Sequence, residues 1–232
     1  MQTAIHGISS LATRQLLAEL ATAFEQQSGA RVVFESVGGV DAARRVQAGE
    51  VFDVVVLASD AIDKLVASGH LRADSKVDLV RSGVAVAVRA GASLPEIDSE
   101  DAVRQSVLAA PNFSYSTGPS GVALVKLFER WGIADEIRGR MVQAPPGVPV
   151  GTLVARGEVA LGFQQLSELL HVPGITIVGP LPPTIQITTT FSAAVPTAGA
   201  EAPGAETVQA LLRYMVAPGA TKAKQRQGME PT

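Results

Sequence analysis

The first third of the chain alternates short apolar runs with amphipathic stretches of helical period, and few folds can accept that alternation. Ala4–Ile8, Arg31–Ser36 and Val54–Ala58 read as strands, the last an unbroken apolar run. Leu11–Gln27 reads as a helix with Leu16, Leu17, Leu20, Ala21 and Phe24 on one face. Val40–Ala48 is a second helix, and a third runs from Asp60 to Val66. Gly29, Gly49 and Gly69 stand where the three helices stop. Ser9 or Ser10 is placed to cap the first, and Asp60 the third. The order βαβαβα predicts an α/β fold: a mostly parallel sheet flanked by helices, with right-handed crossovers. Hydrophobic residues make up 47% of the chain and aromatics only 4%. That balance, carried by Ala, Val, Leu and Ile, suits strands buried on both faces.

From Val84 the pattern restarts. Val84–Val88, Phe113–Ser116 and Val159–Phe163 read as strands. Ser99–Val107 and Ser120–Trp131 read as helices, Val150–Ala155 as a helical turn and Leu166–Leu170 as a short helix. Thr176–Val178 and Thr188–Ala193 are further strands, Ala205–Met215 a closing helix and Lys222–Gln227 a polar tail. The stretches at Pro145-Pro146-Gly147 and Gly179-Pro180-Leu181-Pro182-Pro183 read as rigid connections. The expected organisation is a discontinuous first lobe, residues 1–81 plus 192–232, and a second lobe, residues 82–191. A lobe interrupted by another needs at least two crossing segments, which serve as hinges in domain closure.

Charge and residue usage exclude several classes of function. The formal net charge of the 232 residues is -3, with no basic stripe for nucleic acid. No apolar stretch reaches 18 residues, so no membrane span is expected. The absence of cysteine removes disulfides, thiolate catalysis and Cys-ligated metals. His6, His70 and His171 lack metal-ligand spacing, so no metal site is expected; no cofactor is expected either. No Gly-x-Ser-x-Gly elbow supports a serine hydrolase. Met1-Gln2-Thr3 leads straight into the first strand without a basic n-region, an apolar h-region or a cleavage site. The expectation is a cytoplasmic protein if Met1 is native, and a periplasmic one if a signal peptide was removed.

Ligands of parallel α/β sheets bind beyond the carboxyl ends of strands, beside helix N-termini. Four segments have that placement. Ser9 and Ser10 offer hydroxyls between the first strand and helix; their plain reading is an N-cap. Gly38, Gly39 and Val40 let backbone amides approach a ligand closely, or simply make a tight turn. Ser116-Thr117-Gly118-Pro119-Ser120-Gly121 is the richest cradle, with Thr117, Ser120 and Gly121 as candidate contacts. Gln164 and Gln165 carry two side-chain amides at the end of a strand; their plain reading is exposed loop glutamines. Arg81, at the presumed crossover, has the fork geometry for a carboxylate, or is a surface arginine. Asp41 and His6 are positional candidates for a base.

With these residues assembled, the chain resembles the type II periplasmic solute-binding proteins, in particular the molybdate-binding component of ABC transporters. The likeness covers nearly the whole length. It is carried by the opening strand, Ser9-Ser10 and helix, by Ala43-Arg44-Arg45-Val46-Gln47-Ala48-Gly49, by Phe52 through Asp60, and by Val154 through Gly162. The resemblance implies two lobes with a small anionic ligand in the cleft between them, and an ABC transporter permease as a partner. Ser10 falls where that family uses a serine on molybdate; the second family serine falls near Gly39-Val40, and a family tyrosine at about Gln165. Loss of hydroxyls and gain of amides suits a planar carboxylate at least as well as a tetrahedral oxyanion. The chain is also similar to aconitate isomerases, through Gly162-Phe163-Gln164-Gln165-Leu166-Ser167-Glu168 and Gly179-Pro180-Leu181-Pro182. Two functions stay open on this basis: capture of a small oxyanion or carboxylate, and a double-bond shift in a tricarboxylic acid.

Overall fold

A computed structural model describes residues 4–198 and 204–232. Along the chain run β1 (Ile5–Ser10), α1 (Arg14–Ser28), β2 (Val32–Val37), α2 (Gly39–Gln47), β3 (Val54–Ala58), α3 (Ser59–Ala67) and β4 (Val77–Arg89). Next come α4 (Glu100–Ala109), β5 (Phe113–Tyr115), α5 (Pro119–Arg130), α6 (Ala134–Ile137), β6 (Met141–Gln143), α7 (Val150–Ala155), β7 (Leu161–Gln165), α8 (Leu166–Leu169) and β8 (Ile175–Pro180). The chain ends with β9 (Thr188–Ala194), α9 (Ala205–Val216), α10 (Thr221–Arg226) and β10 (Met229–Pro231). It divides into two compact units: residues 1–81 with 190–232, and residues 82–189. Strands β4 and β9 carry the chain from one unit to the other.

In the first unit β1 lies between β2 and β3, parallel to both, and β9 runs antiparallel to β3. Strand alternation explains the helices on both faces. Ile5, Val54 and Val56 pack on one side with Leu16, Leu20 and Phe24 of α1 and with Leu211 and Met215 of α9. Ile8, Val55 and Leu57 pack on the other with Ala42 and Val46 of α2 and with Ile62 and Leu65 of α3. Gly7 is required here: a Cβ would stand 2.3 Å from the Phe34 ring.

The second unit repeats the plan. Strand β7 is antiparallel to β4 and parallel to β5, which is parallel to β6. Val84, Val86, Phe113 and Phe163 face Val103 and Val107 of α4 and Leu124 and Phe128 of α5. Ala85 and Ala87 face Leu169 on the opposite side. There α7 packs so closely that a Cβ at Gly162 would stand 2.5 Å from Val154.

Several sequence expectations are corrected. No serine side chain caps α1. A 3-10 turn over Leu11–Thr13 intervenes, and Thr13 Oγ1 donates to the Ser10 carbonyl at 3.2 Å. Helix α3 starts at Ser59, so Asp60 lies in its first turn and is not its cap. Strand β4 starts at Val77, not Val84; Asp78, Arg81 and Ser82 had interrupted its apolar run. Strand β7 runs to Gln165, so the two glutamines belong to the strand. Lys222–Gln227 is not a loose tail: it falls mostly in α10, which places Ala223 and Lys224 inside. Helix α6 and strand β6 were not expected at all.

Candidate functional site

The two helix starts of the first unit gather its candidates. Strand β1 ends at Ser9 and Ser10, both buried. The Ser9 hydroxyl is committed to that of Ser36 at 2.7 Å. The Ser10 hydroxyl is enclosed and has no hydrogen-bond partner. Buried hydroxyls are nearly always paired, and leaving one unpaired costs free energy. The 3-10 turn explains why Ser10 is not simply a helix cap. Position 39 adjoins it: a Cβ built on Gly39 would stand 3.6 Å from the Ser10 Cβ. Gly39 and Val40 open α2, where first-turn amides lack intrahelical partners and the helix dipole favours an anion. The Gly38 carbonyl accepts the Ala42 N–H at 2.9 Å. Asp41 pairs with Arg44 within α2.

The second unit builds its cradle at the start of α5. Ser116 and Ser120 place their hydroxyl oxygens 3.3 Å apart, and Ser120 is buried. The Gly118 carbonyl accepts the Gly121 N–H at 3.0 Å and the Val122 N–H at 3.2 Å. Position 121 admits only glycine, since a Cβ there would stand 1.8 Å from the Ser116 carbonyl oxygen. Pro119 supplies no N–H, so the Ser120 amide is the first donor of this helix. Thr117 and Gly118 are half-buried in the turn.

Gln164 and Gln165 are 3% exposed each, which removes the reading of loop glutamines. They point to opposite faces of β7. The Gln164 Oε1 accepts the Gly151 N–H at 3.3 Å, in the first turn of α7, and its Nε2 donates to Glu168 at 2.7 Å. The Gln165 Nε2 donates to Thr189 Oγ1 at 2.8 Å, while its Oε1 is enclosed without a partner. Glu168, Thr189 and Ser167 are functional candidates that sequence reading passed over. Glu168 lies in α8, directly after β7, which brings its carboxylate back to Gln164.

Other candidates fall elsewhere. Arg81 is half-exposed in β4 and reaches Glu230 at 3.5 Å. His6 is exposed near the start of β1, four residues before Ser10, with its backbone N–H on Asp53 at 2.7 Å. His70 lies in a turn with Nδ1 2.9 Å from the Ser68 hydroxyl. Among the described residues no group of three or more His, Asp or Glu side chains is placed to hold a metal ion, and no helix is long and apolar enough to cross a membrane.

A sheet with parallel strands in each unit, helices on both faces, and two crossing strands define the type II periplasmic-binding-protein class of fold. Its solved relatives include the periplasmic molybdate-binding protein of Azotobacter vinelandii, with TM-score 0.81, 18% identity, and 98% of this chain and 99% of that one covered. The sulfate-binding protein SubI from Mycobacterium tuberculosis matches with TM-score 0.78 at 16% identity, covering 100% of this chain and 88% of that one. The model of the family described as bacterial extracellular solute-binding protein matches residues 5–230, and the chain belongs to that family. An aconitate isomerase from Pseudomonas sp is 39% identical over 237 residues, covering 99% of this chain and 88% of the relative.

Proposed function

We propose that this protein binds a small tricarboxylate and shifts its double bond, in the manner of an aconitate isomerase. One observation carries the reading: 39% identity to an aconitate isomerase over 99% of the chain. The similarity to the oxyanion-binding structures is far lower in identity and supports only the fold. The donors agree with a carboxylate. Where the resembling molybdate proteins place a hydroxyl and a phenol, this chain has Gly39 and the amide of Gln165.

The reaction moves one proton. A base removes a proton from the carbon next to the double bond, negative charge spreads over the allylic system and onto a carboxylate, and a proton returns at the far carbon. No atom is gained or lost. Amide and hydroxyl donors at Ser10, Gly39 and Val40 of the first unit would hold a carboxylate, and Ser120 of the second unit is a donor of the same kind. Two carboxylates stand in the donor segments: Asp41, held by Arg44, and Glu168, held by Gln164. Either qualifies by position as the base. Asp41→Asn and Glu168→Gln separate them: the variant lacking the base loses turnover by about a hundredfold or more and keeps tricarboxylate affinity.

A second reading is capture of a small anion without turnover, for delivery to a transporter permease. The match to the solute-binding family favours it. Melting temperature against molybdate, tungstate, sulfate, phosphate, citrate, and cis- and trans-aconitate divides the two. A ligand at a hundred times its Kd stabilises the fold by about 2.7 kcal/mol. Stabilisation by carboxylates alone is expected; stabilisation by molybdate and tungstate alone would establish the second reading.

A further inference from the structure

We propose that Ser82 and Ser167 are ligand-binding donors and that Thr189 is the positioning residue that sets what Gln165 presents to a carboxylate. The proposal rests on the tricarboxylate reading above and adds three residues to it. All four belong to the second unit, of which Ser82 and Thr189 are the first and last residues.

The carrying observation is a concentration of enclosed polar atoms without partners. Five buried side-chain oxygens among the described residues lack one, and three of them are Ser82 Oγ, Gln165 Oε1 and Ser167 Oγ. Ser82 is 1% exposed, Gln165 3% and Ser167 6%. The register of β4 against β7 pairs Val84 with Gln165. Ser82 is two residues before Val84, on the same face of β4 by strand alternation. Ser167 is two residues past Gln165, in the first turn of α8. Thr189 is 9% exposed and bonds Gln165 directly. A fold that selects against unpaired buried groups has left three at one end of one strand pair, as a built binding surface requires.

The Gln165–Thr189 bond can be made two ways. With Nε2 donating to the threonine oxygen, the amide carbonyl faces away from the pair. With the amide turned half a revolution, the threonine hydroxyl donates to Oε1 and the NH2 group faces away. An anion selects the second arrangement, because only the NH2 group donates. The hydroxyls of Ser82 and Ser167 then add one donor each. Together they match a carboxylate, whose two oxygens accept about four hydrogen bonds.

The test combines stability and affinity. Tricarballylate, the saturated tricarboxylate, is the probe, because it has no double bond to shift. Ser82→Ala and Ser167→Ala should leave the melting temperature of the free protein unchanged or raised, and should weaken tricarballylate binding by calorimetry about fivefold or more each. Thr189→Val should weaken it to a similar degree, and Thr189→Ser should restore it to within about twofold. A purely structural role predicts the opposite signs for the serines: lower melting temperature and unchanged affinity. If the wild type binds tricarballylate and the alanine variants bind it equally well, the inference falls while the tricarboxylate reading stands. If the wild type binds no tricarboxylate, both fall together.

Discussion

Ser10 and Gly121 show two ways in which one residue fixes the site. Ser10 keeps a buried hydroxyl with no partner, so removing it costs the folded chain nothing in hydrogen bonding. Ser10→Ala is expected to melt at or slightly above the wild-type temperature, while losing about tenfold in tricarboxylate affinity by calorimetry. Gly121 is the reverse case. Its missing side chain lets the first turn of α5 lie against the Ser116 carbonyl. Gly121→Ala must push that turn away, and a loss of about 3 kcal/mol in urea unfolding is expected, together with loss of the cradle that Ser116 and Ser120 form. Reading the sequence found Ser10 and Gly121 because hydroxyls and glycines at strand-to-helix turns are visible as local pattern. It passed over Thr189 and Ser82, because what matters about them is a partner, or the lack of one, distant in sequence, and Glu168, because its partner Gln164 was read as a loop residue and not as the end of a buried strand. Gln165 and Thr189 are joined across a separation of 24 residues, and no period or spacing encodes such a pair.

The first three strand–helix pairs were legible as elements because each carries its own period and its own closing glycine. The segment after α9 was not, because its polar residues hide its role. Helix α10 packs against α1: Arg226 pairs with Glu19, and Gln227 Nε2 donates to the same carboxylate at 3.2 Å. The Arg226 guanidinium holds the Glu19 carboxyl below the usual carboxylate range. Lys224 is 2% exposed, and burial holds its ammonium below the usual lysine range. A lysine depressed on folding binds its proton more weakly in the folded chain than in the unfolded one. Its destabilising effect is therefore complete below the folded value and is relieved as pH rises from there toward the unfolded one, near 10.5. Lys224→Met should raise the melting temperature at pH 7 by about 3 °C for each kcal/mol recovered. The gain should shrink between neutral pH and pH 10. A gain that is constant with pH would trace the effect to packing of the side chain and not to its charge.

At the scale of the whole molecule, the chain has the fold of a molybdate-binding and a sulfate-binding protein, and 39% identity to an aconitate isomerase. The fold accommodates both, so the decision lies with the donors and with the presence of a base. Proton NMR of cis-aconitate incubated with the protein in heavy water tests the central claim most directly. The account predicts appearance of trans-aconitate, with solvent deuterium at the carbon that receives the returning proton, and abolition of both in either Asp41→Asn or Glu168→Gln. Unchanged cis-aconitate beside a protein that molybdate stabilises against heat would contradict it and leave an anion-capturing protein in its place.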